Sequence, residues 1–533
     1  MRADLDTVEP IPLPPRLIPG LWGAELTLRD RGRPIAVGAA QRSAEFPDPI
    51  QPALRALHDS IPAGPRVPAG SLEIELASAP IPVTSEQLMR AEYAPGSVGV
   101  AVRRRGATNW ATAFPFRQIE SGLTPAVAAE VLLRSLDESG AGELLSLPQL
   151  VERNNAELGV FSTIQLAQPA RDDTPRFLTR GTSVVPSDAI THAAIVEHAD
   201  GLARHLLIRL SNEQAGLLPS TESMNTARVT GPPRDASKAA LALALARYAR
   251  SPAAVPASAI ESRAAARRVA SSILTDEPPE PRVAALLAAT HRELGDASPY
   301  DADHAALLRD ALALAFRPSR GFDPSISDPA SRSVIAFGLA SLADAGEGRG
   351  LARAALGRLY LETDPPALVA ATPWVVYAER VLAPEGEPIP AADALRELRR
   401  SIGVFRLSPL NSDIQRLARG PLDPLDRGGI ALGQGPAARW PTWSGLRPIA
   451  FNAAMLADSR LTPRQELPRH LGAQLESTRF LRQLAVRPID LRLADRPEHQ
   501  RWGIRAAIWS PDLPLDASTL ALMALCDTLE TLD

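Results

Sequence analysis

Cysteine is nearly absent. Cys526 is the single one in 533 residues, so no internal disulfide can form and a multi-cysteine zinc site is excluded. Lysine is as scarce: Lys238 stands alone among 57 basic residues, so nearly all positive charge is arginine. The net charge of -4 leaves no overall basic field of the kind that holds nucleic acid, and no nucleic-acid partner is expected. The most apolar runs, 239–246 and 333–342, fall well short of the ~20 residues that span a bilayer. The chain opens with acids and then prolines, without the basic and apolar regions of a secretory leader. These absences together point to a cytoplasmic protein with no membrane partner. No Gly-Lys-Ser/Thr phosphate loop, Rossmann glycine fingerprint or Gly-x-Ser-x-Gly elbow is found, which argues against nucleotide hydrolysis, NAD chemistry and α/β-hydrolase chemistry.

What is present suits a globular chain of two to four domains, with 45% hydrophobic and 22% charged residues. Its 51 prolines are about twice the usual share, so rigid loops must punctuate the fold. Beyond a tail at 1–19, residues 20–150 read as an α+β unit. Leu26 and Leu28 alternate with Glu25, Thr27 and Arg29 into the turn Asp30-Arg31-Gly32-Arg33, a half-buried strand entering a hairpin. A helix over 51–61 follows, then a strand in which Leu72, Ile74 and Leu76 alternate with Glu73 and Glu75, then a pair over 98–102 and 109–116. Thr124 and Pro125 start a last helix with Val127, Val131, Leu132 and Leu136 as its apolar stripe. Residues 151–190 read as a connector with short strands.

The order of these pieces resembles the AMMECR-type domain, on Leu26 to Gly38, Leu72-Glu73-Ile74-Glu75-Leu76 with Pro80, Gly96 to Val102, Phe114-Pro115 and the helix from Thr124. The resemblance covers roughly residues 20–140. The family's cysteine-bearing return is here Gly32-Arg33-Pro34-Ile35-Ala36-Val37-Gly38, so chemistry proposed for that cysteine does not carry over. A diverged accessory unit without a catalytic role is the plainer reading.

Residues 191–533 read as all-α. Six helices apolar nearly all round (236–248, 283–294, 333–342, 368–377, 449–456 and 518–529) alternate with six amphipathic ones (192–210, 259–273, 305–316, 352–361, 394–402 and 463–484). Buried helices alternating with wetter ones suggest an α/α toroid of six helical hairpins, with a helical solenoid as the alternative. Loops such as Gly321-Phe322-Asp323 and Trp502-Gly503-Ile504-Arg505 lead through Asp or Ser residues into the buried helices. That pattern resembles terpenoid-cyclase and prenyltransferase-like toroids and the six-hairpin glycosidase and epimerase toroids. The resemblance implies topology only: the cyclase Asp-x-Asp-Asp acid and the prenyltransferase zinc set are missing, Asp423-Pro424-Leu425-Asp426 being the nearest acidic run.

In such a ring the inner-helix N-termini converge, and their dipoles favour an anion. Arg234, Arg332, Arg447 and Arg505 fall at these helix starts and are the candidate ligand binders, with Trp443 as an aromatic platform. They could equally pair with neighbouring acids. Asp323, Asp328, Asp426, Asp512 and Asp516 are the candidate catalytic carboxylates, since glycoside hydrolysis needs two flanking the bond, but the same residues serve as helix N-caps. Asp301, Asp303 and His304 combine acid and imidazole, yet no metal site or cofactor is assigned. His198 and His205 share one face of an outer helix and read as surface or interface histidines, while Cys526 reads as a small core residue. Two functions stay open: a toroid mouth that binds an anionic, saccharide-type small molecule or glycan, or an inactive toroid scaffold for a protein partner. An enzyme on this frame would be a glycosidase, lyase, epimerase or cyclase type.

Overall fold

The structure, a computed structural model, describes residues 20–62, 70–136, 144–170, 173–213, 218–225, 230–274, 277–343, 347–384, 386–409, 411, 422–432 and 440–533. The expected 1–19 tail lies outside them. Alternation in the first segment produces β1 (Leu21–Asp30) and β2 (Arg33–Gln41), joined by a turn in which Arg31 and Gly32 both have positive φ, 43° and 73°. Two such residues give the hairpin the twist of its strands. Helix α1 (Ile50–Ser60) buries Ala53 and Leu57 on Ala24, Leu26 and Leu28. It lies so close that a Cβ on Gly38 would come 2.1 Å from the Ala53 carbonyl oxygen, which explains glycine there.

Strands β3 (Ser71–Ser78), β4 (Ile81–Val83), β5 (Val98–Arg104), β6 (Ala111–Ala113), β7 (Ala156–Gln168) and β8 (Arg176–Leu178) complete the sheet. Its order is β2-β1-β3-β7-β5-β6, with β4 and β8 also on β7, and all its pairings are antiparallel. Between these strands lie helices α2 (Ser85–Met89), α3 (Pro115–Ser121), α4 (Pro125–Leu136) and α5 (Leu147–Arg153).

Three expectations change here. The stretch read as a connector over 151–190 supplies β7, the central strand, whose first half pairs with β5 and second half with β3. Helix α4 turns a different face inward: Ala128, Ala129 and Leu133 are buried while Val127 and Val131 are exposed, because small side chains let the helix settle closer to the sheet. The polar side of β1 and β3 does not meet water either. Glu25, Thr27, Arg29, Glu73 and Glu75 are all buried, since that face packs against the helical part, which supplies partners such as Arg492.

The chain then turns helical: α6 (His192–Glu213), α7 (Asp235–Arg250), α8 (Pro256–Ile273), α9 (Pro281–Leu294), α10 (Ala302–Ala315), α11 (Pro329–Ser341), α12 (Glu347–Glu362), α13 (Pro365–Leu368), α14 (Trp374–Leu382), α15 (Ala392–Gly403), α16 (Leu446–Leu456), α17 (Leu467–Leu484), α18 (Pro497–Gln500) and α19 (Leu515–Leu532). The proline excess finds its use at helix starts: α3, α5, α8, α9, α11, α13, α17 and α18 carry proline in the first turn, where the missing N–H costs nothing. The helices apolar all round are the buried ones. Of these, α7 packs on α9, α9 on α11, α11 on α14, α14 on α16, α16 on α19, and α19 back on α7. Alanine and glycine permit close approach; a Cβ on Gly338 of α11 would lie 2.4 Å from Ala285 Cα of α9. Outside them, α6 packs on α7 and α19, α8 on α7 and α9, α10 on α9 and α11, α12 on α11 and α14, and α17 on α16 and α19.

The protein is therefore an N-terminal antiparallel α+β part followed by a helical part. One hydrophobic cluster joins them, running from Phe116, Ile119 and Leu178 into the buried helices. Among the described residues no helix is long and apolar enough to cross a membrane.

Candidate functional site

Four charged side chains come together where the buried helices begin. Arg282 is the second residue of α9, Asp328 precedes α11, Arg447 is the second residue of α16, and Asp516 is the second residue of α19. In the packing order α7-α9-α11-α14-α16-α19, α9 does not pack on α16, nor α11 on α19. Arg282, Asp516 and Asp328 nevertheless lie near enough to Arg447 to act on its charge, although none of them pairs with it among the described residues.

Arg447 is mostly buried, and burial, followed by the like charge of Arg282, lowers its pKa. Its guanidinium has no hydrogen-bond or ion-pair partner among the described residues. Arg282 is in similar straits, with its Nε buried and unpartnered. Asp328 is differently held. Its Oδ1 accepts from the Ser331 backbone N–H at 2.8 Å, capping α11; burial alone would raise its pKa, but that bond and the charge of Arg282 hold it below the usual range. The N-terminal ends of the helices add partial positive charge. Two unsatisfied guanidinium groups in such a place can bind an anion through charge-assisted hydrogen bonds. Asp328, kept ionised, cannot serve as a general acid near neutral pH.

Of the expected binders, Arg447 is brought to the mouth and the others are held elsewhere. Arg234 is exposed just before α7. Arg332 bonds the Ile326 carbonyl at 2.9 Å, pairs with Glu362 at 3.1 Å and lies over the Phe322 ring. Arg505 is buried and donates to the carbonyls of Gln483, Leu484 and Ile508, so it ties a loop and is closed to a ligand. Trp443 is half-buried against the core on the turn leading to Arg447, its backbone N–H donating to the Ala506 carbonyl. Arg282 was missed because Glu280-Pro281-Arg282 lacks the glycine and aromatic residues that marked the other helix starts.

Among the candidate carboxylates, Asp328 and Asp516 are the two whose charge acts on Arg447. Asp323 is exposed and binds Ser325, while Asp512 is exposed on the short strand Asp512–Pro514 that pairs with Thr221–Ser223. Asp426 is buried beneath Arg180, which bonds it at 2.7 Å and Asp423 at 3.0 Å. Burial pushes its pKa up to about 6, with Arg180 opposing. That value would suit a general acid, but the carboxyl is sealed between the two parts of the chain. Asp301 caps α10 and bonds His304, and among the described residues no three His, Cys, Asp or Glu side chains form a metal-binding group. His198 and His205, expected at a surface or interface, are buried, because α6 is covered by the 499–503 loop: Trp502 lies against His198, and the His499 carbonyl is 2.8 Å from His205 Nδ1. Cys526 is buried, with its thiol pushed up to about 12 by burial.

No family model matches this chain, and no curated protein matches it. A crystal structure of an uncharacterized protein from Pyrococcus horikoshii is similar over 33% of this chain and 90% of its own, at 15% identity and a TM-score of 0.24.

Proposed function

We propose that the helical part is an α/α toroid of six hairpins whose N-terminal mouth binds a small anionic molecule, with Arg282 and Arg447 as its anchors. The toroid reading rests on the cycle of contacts from α7 round to α19 and back to α7, with amphipathic helices outside it. The binding reading rests on one observation: Arg447 is held mostly buried without a partner, near a second arginine whose Nε is also unsatisfied. A fold gains nothing from that arrangement unless an anion completes it. A saccharide acid fits the neighbouring Trp443 ring. Asp328, held below its usual range by its Ser331 bonds and Arg282, is no proton donor, which favours binding over glycoside hydrolysis. The same reading keeps the AMMECR-type assignment for the N-terminal part, divides the chain near residue 190 and places the protein in the cytoplasm.

A protein-binding scaffold is the second reading, favoured by a groove of about 450 Å³ beside α10 lined by Leu314, Phe316 and Leu351, with Leu314 largely exposed.

The test is Arg447→Met, assayed by calorimetric titration with uronic-acid saccharides and phosphorylated sugars and by urea unfolding. Removing a buried, unpartnered charge beside Arg282 should leave stability unchanged or higher by up to ~1 kcal/mol, while lowering affinity at least tenfold. A destabilised variant, together with a wild type that binds no anion in the panel, would refute the binding reading and leave the scaffold.

A further inference from the structure

The far end of the same helices holds a second polar cavity. The last turns of α7, α9, α14 and α19 surround a space of about 210 Å³ lined by Arg250, Arg292, Glu293, Tyr377, Arg380 and Glu530, among others. Several of its charges are already satisfied. Arg380 bonds Glu530 at 2.8 Å, Arg460 holds Asp458 with two nitrogens at 2.9 and 2.7 Å, and Arg247 pairs with the buried Asp527, which also accepts from the Tyr377 hydroxyl at 2.6 Å.

Two groups facing the cavity keep unused hydrogen-bonding capacity. The side chain of Glu293 is only 10% exposed, and its Oε2 has no hydrogen-bond donor; Arg250 Nη1 is 3.1 Å away, too poorly aligned to bond it. Arg292, the residue before it, is exposed, and its guanidinium has no partner among the described residues. The ion pair with Arg250 offsets part of the charge of Glu293 but leaves a buried carboxylate oxygen without a donor, and an ammonium group supplies three donors. The carbonyl ends of the helices add partial negative charge, which disfavours a simple anion there and favours a cation beside Glu293. Arg292 and Arg250 in turn offer donors to a carboxylate.

We infer that this cavity binds a small zwitterion of the amino-acid class, its ammonium on Glu293 and its carboxylate on Arg292 and Arg250. The volume lies below the ~300–1,000 Å³ of drug-sized pockets, which limits the occupant to roughly amino-acid size. The site is separate from the N-terminal mouth and does not depend on that reading.

The test is calorimetric titration of the full chain with glycine, L-glutamate, L-lysine and γ-aminobutyrate, with propionate and propylamine as controls that carry one charge each. At least one zwitterion should bind, neither control should, and both Glu293→Gln and Arg292→Ala should weaken binding tenfold or more. Arg292 is exposed and unbonded, so its removal tests the site without threatening the fold. Arg447→Met should leave this binding unchanged. The inference fails if no zwitterion binds the wild type, if propionate or propylamine binds as well as the zwitterion, if either cavity variant keeps full affinity, or if Arg447→Met abolishes binding.

Discussion

Two buried histidines sensitise this protein to acid. Burial lowers the pKa of both His198 and His205 to about 3. In the unfolded chain each titrates near 6.5, so between pH 6.5 and 3 the unfolded state holds more protons, and stability is lost as pH falls. Each histidine weakens the folding equilibrium by about tenfold per pH unit in that window. Asp426 acts in the opposite sense: raised to about 6, it is protonated first in the folded state, so its contribution falls as pH rises from about 4 to 6. Glu25, Glu75 and Glu379, also raised by burial, act in the same sense as Asp426, so substitution is what isolates the histidines' share. His205→Asn, which can keep a donor to the His499 carbonyl, should make the urea midpoint less sensitive to acid below pH 6.5 than it is in the wild type. An unchanged slope would mean that neither its burial nor its shift governs acid unfolding. Asp426→Asn should steepen the loss instead.

At the scale of elements, one glycine decides how α6 meets the rest. Gly201 sits in the middle of that helix, where alanine would ordinarily gain about 1 kcal/mol. A Cβ there would lie 2.6 Å from the Trp502 indole, a rigid ring that also packs on His198. Overpacking of this kind costs ~1–3 kcal/mol, so Gly201→Ala should destabilise the protein on balance, which denaturant unfolding would measure. A rise in stability would show that the loop yields. Elements of this kind were largely legible in the sequence: eleven of the twelve helices followed from which stretches were apolar all round and which on one side, and the β1–β2 hairpin from alternation ending in Arg31-Gly32; the helix expected over 368–377 instead begins at Trp374, after the turn at Thr372-Pro373, and runs to Leu382. Faces were harder to read. The stripe on α4 was assigned to its larger side chains, Val127 and Val131, although the close-packed contact uses Ala128 and Ala129. Alternation in β1 and β3 was read as one dry and one wet face because nothing local tells a carboxylate facing water from one facing an arginine distant in the chain. The mouth was half legible for a related reason. Arg447 and Asp328 stand beside recognisable helix starts, whereas the orphaned state of Arg282 depends on residues distant in the chain.

The whole molecule is held together by what that misread face does. Glu73, on β3, is sealed from solvent and bonded by Arg29 from its own sheet and by Arg492 from the helical part, each at 2.8 Å; Arg492 also donates to the Gly181 and Ile489 carbonyls. Nearby, Arg180 reaches Asp423 and Asp426, Thr182 bonds Asp490 at 2.6 Å, and the tip of the β1–β2 hairpin packs so closely on Leu493 that Gly32 has no room for a Cβ. A shared apolar cluster and buried charges crossing it should make the two parts unfold as one unit. Ionic contacts of this kind stabilise little relative to a well-packed apolar replacement, but breaking one side of a pair leaves a buried charge behind, at about 3–5 kcal/mol. Arg492→Met should therefore lower stability by roughly that amount, because Glu73 keeps only Arg29 and the Gly181 carbonyl loses its donor. The double variant Arg492→Met with Glu73→Gln should recover part of the loss, since the stranded charge is gone. Calorimetry gives the distinguishing readout. The wild type should show one transition, and Arg492→Met should separate it toward two, with the sheet part melting first because it has the smaller core. Two transitions already present in the wild type would mean that the buried charges orient the parts without coupling their folding.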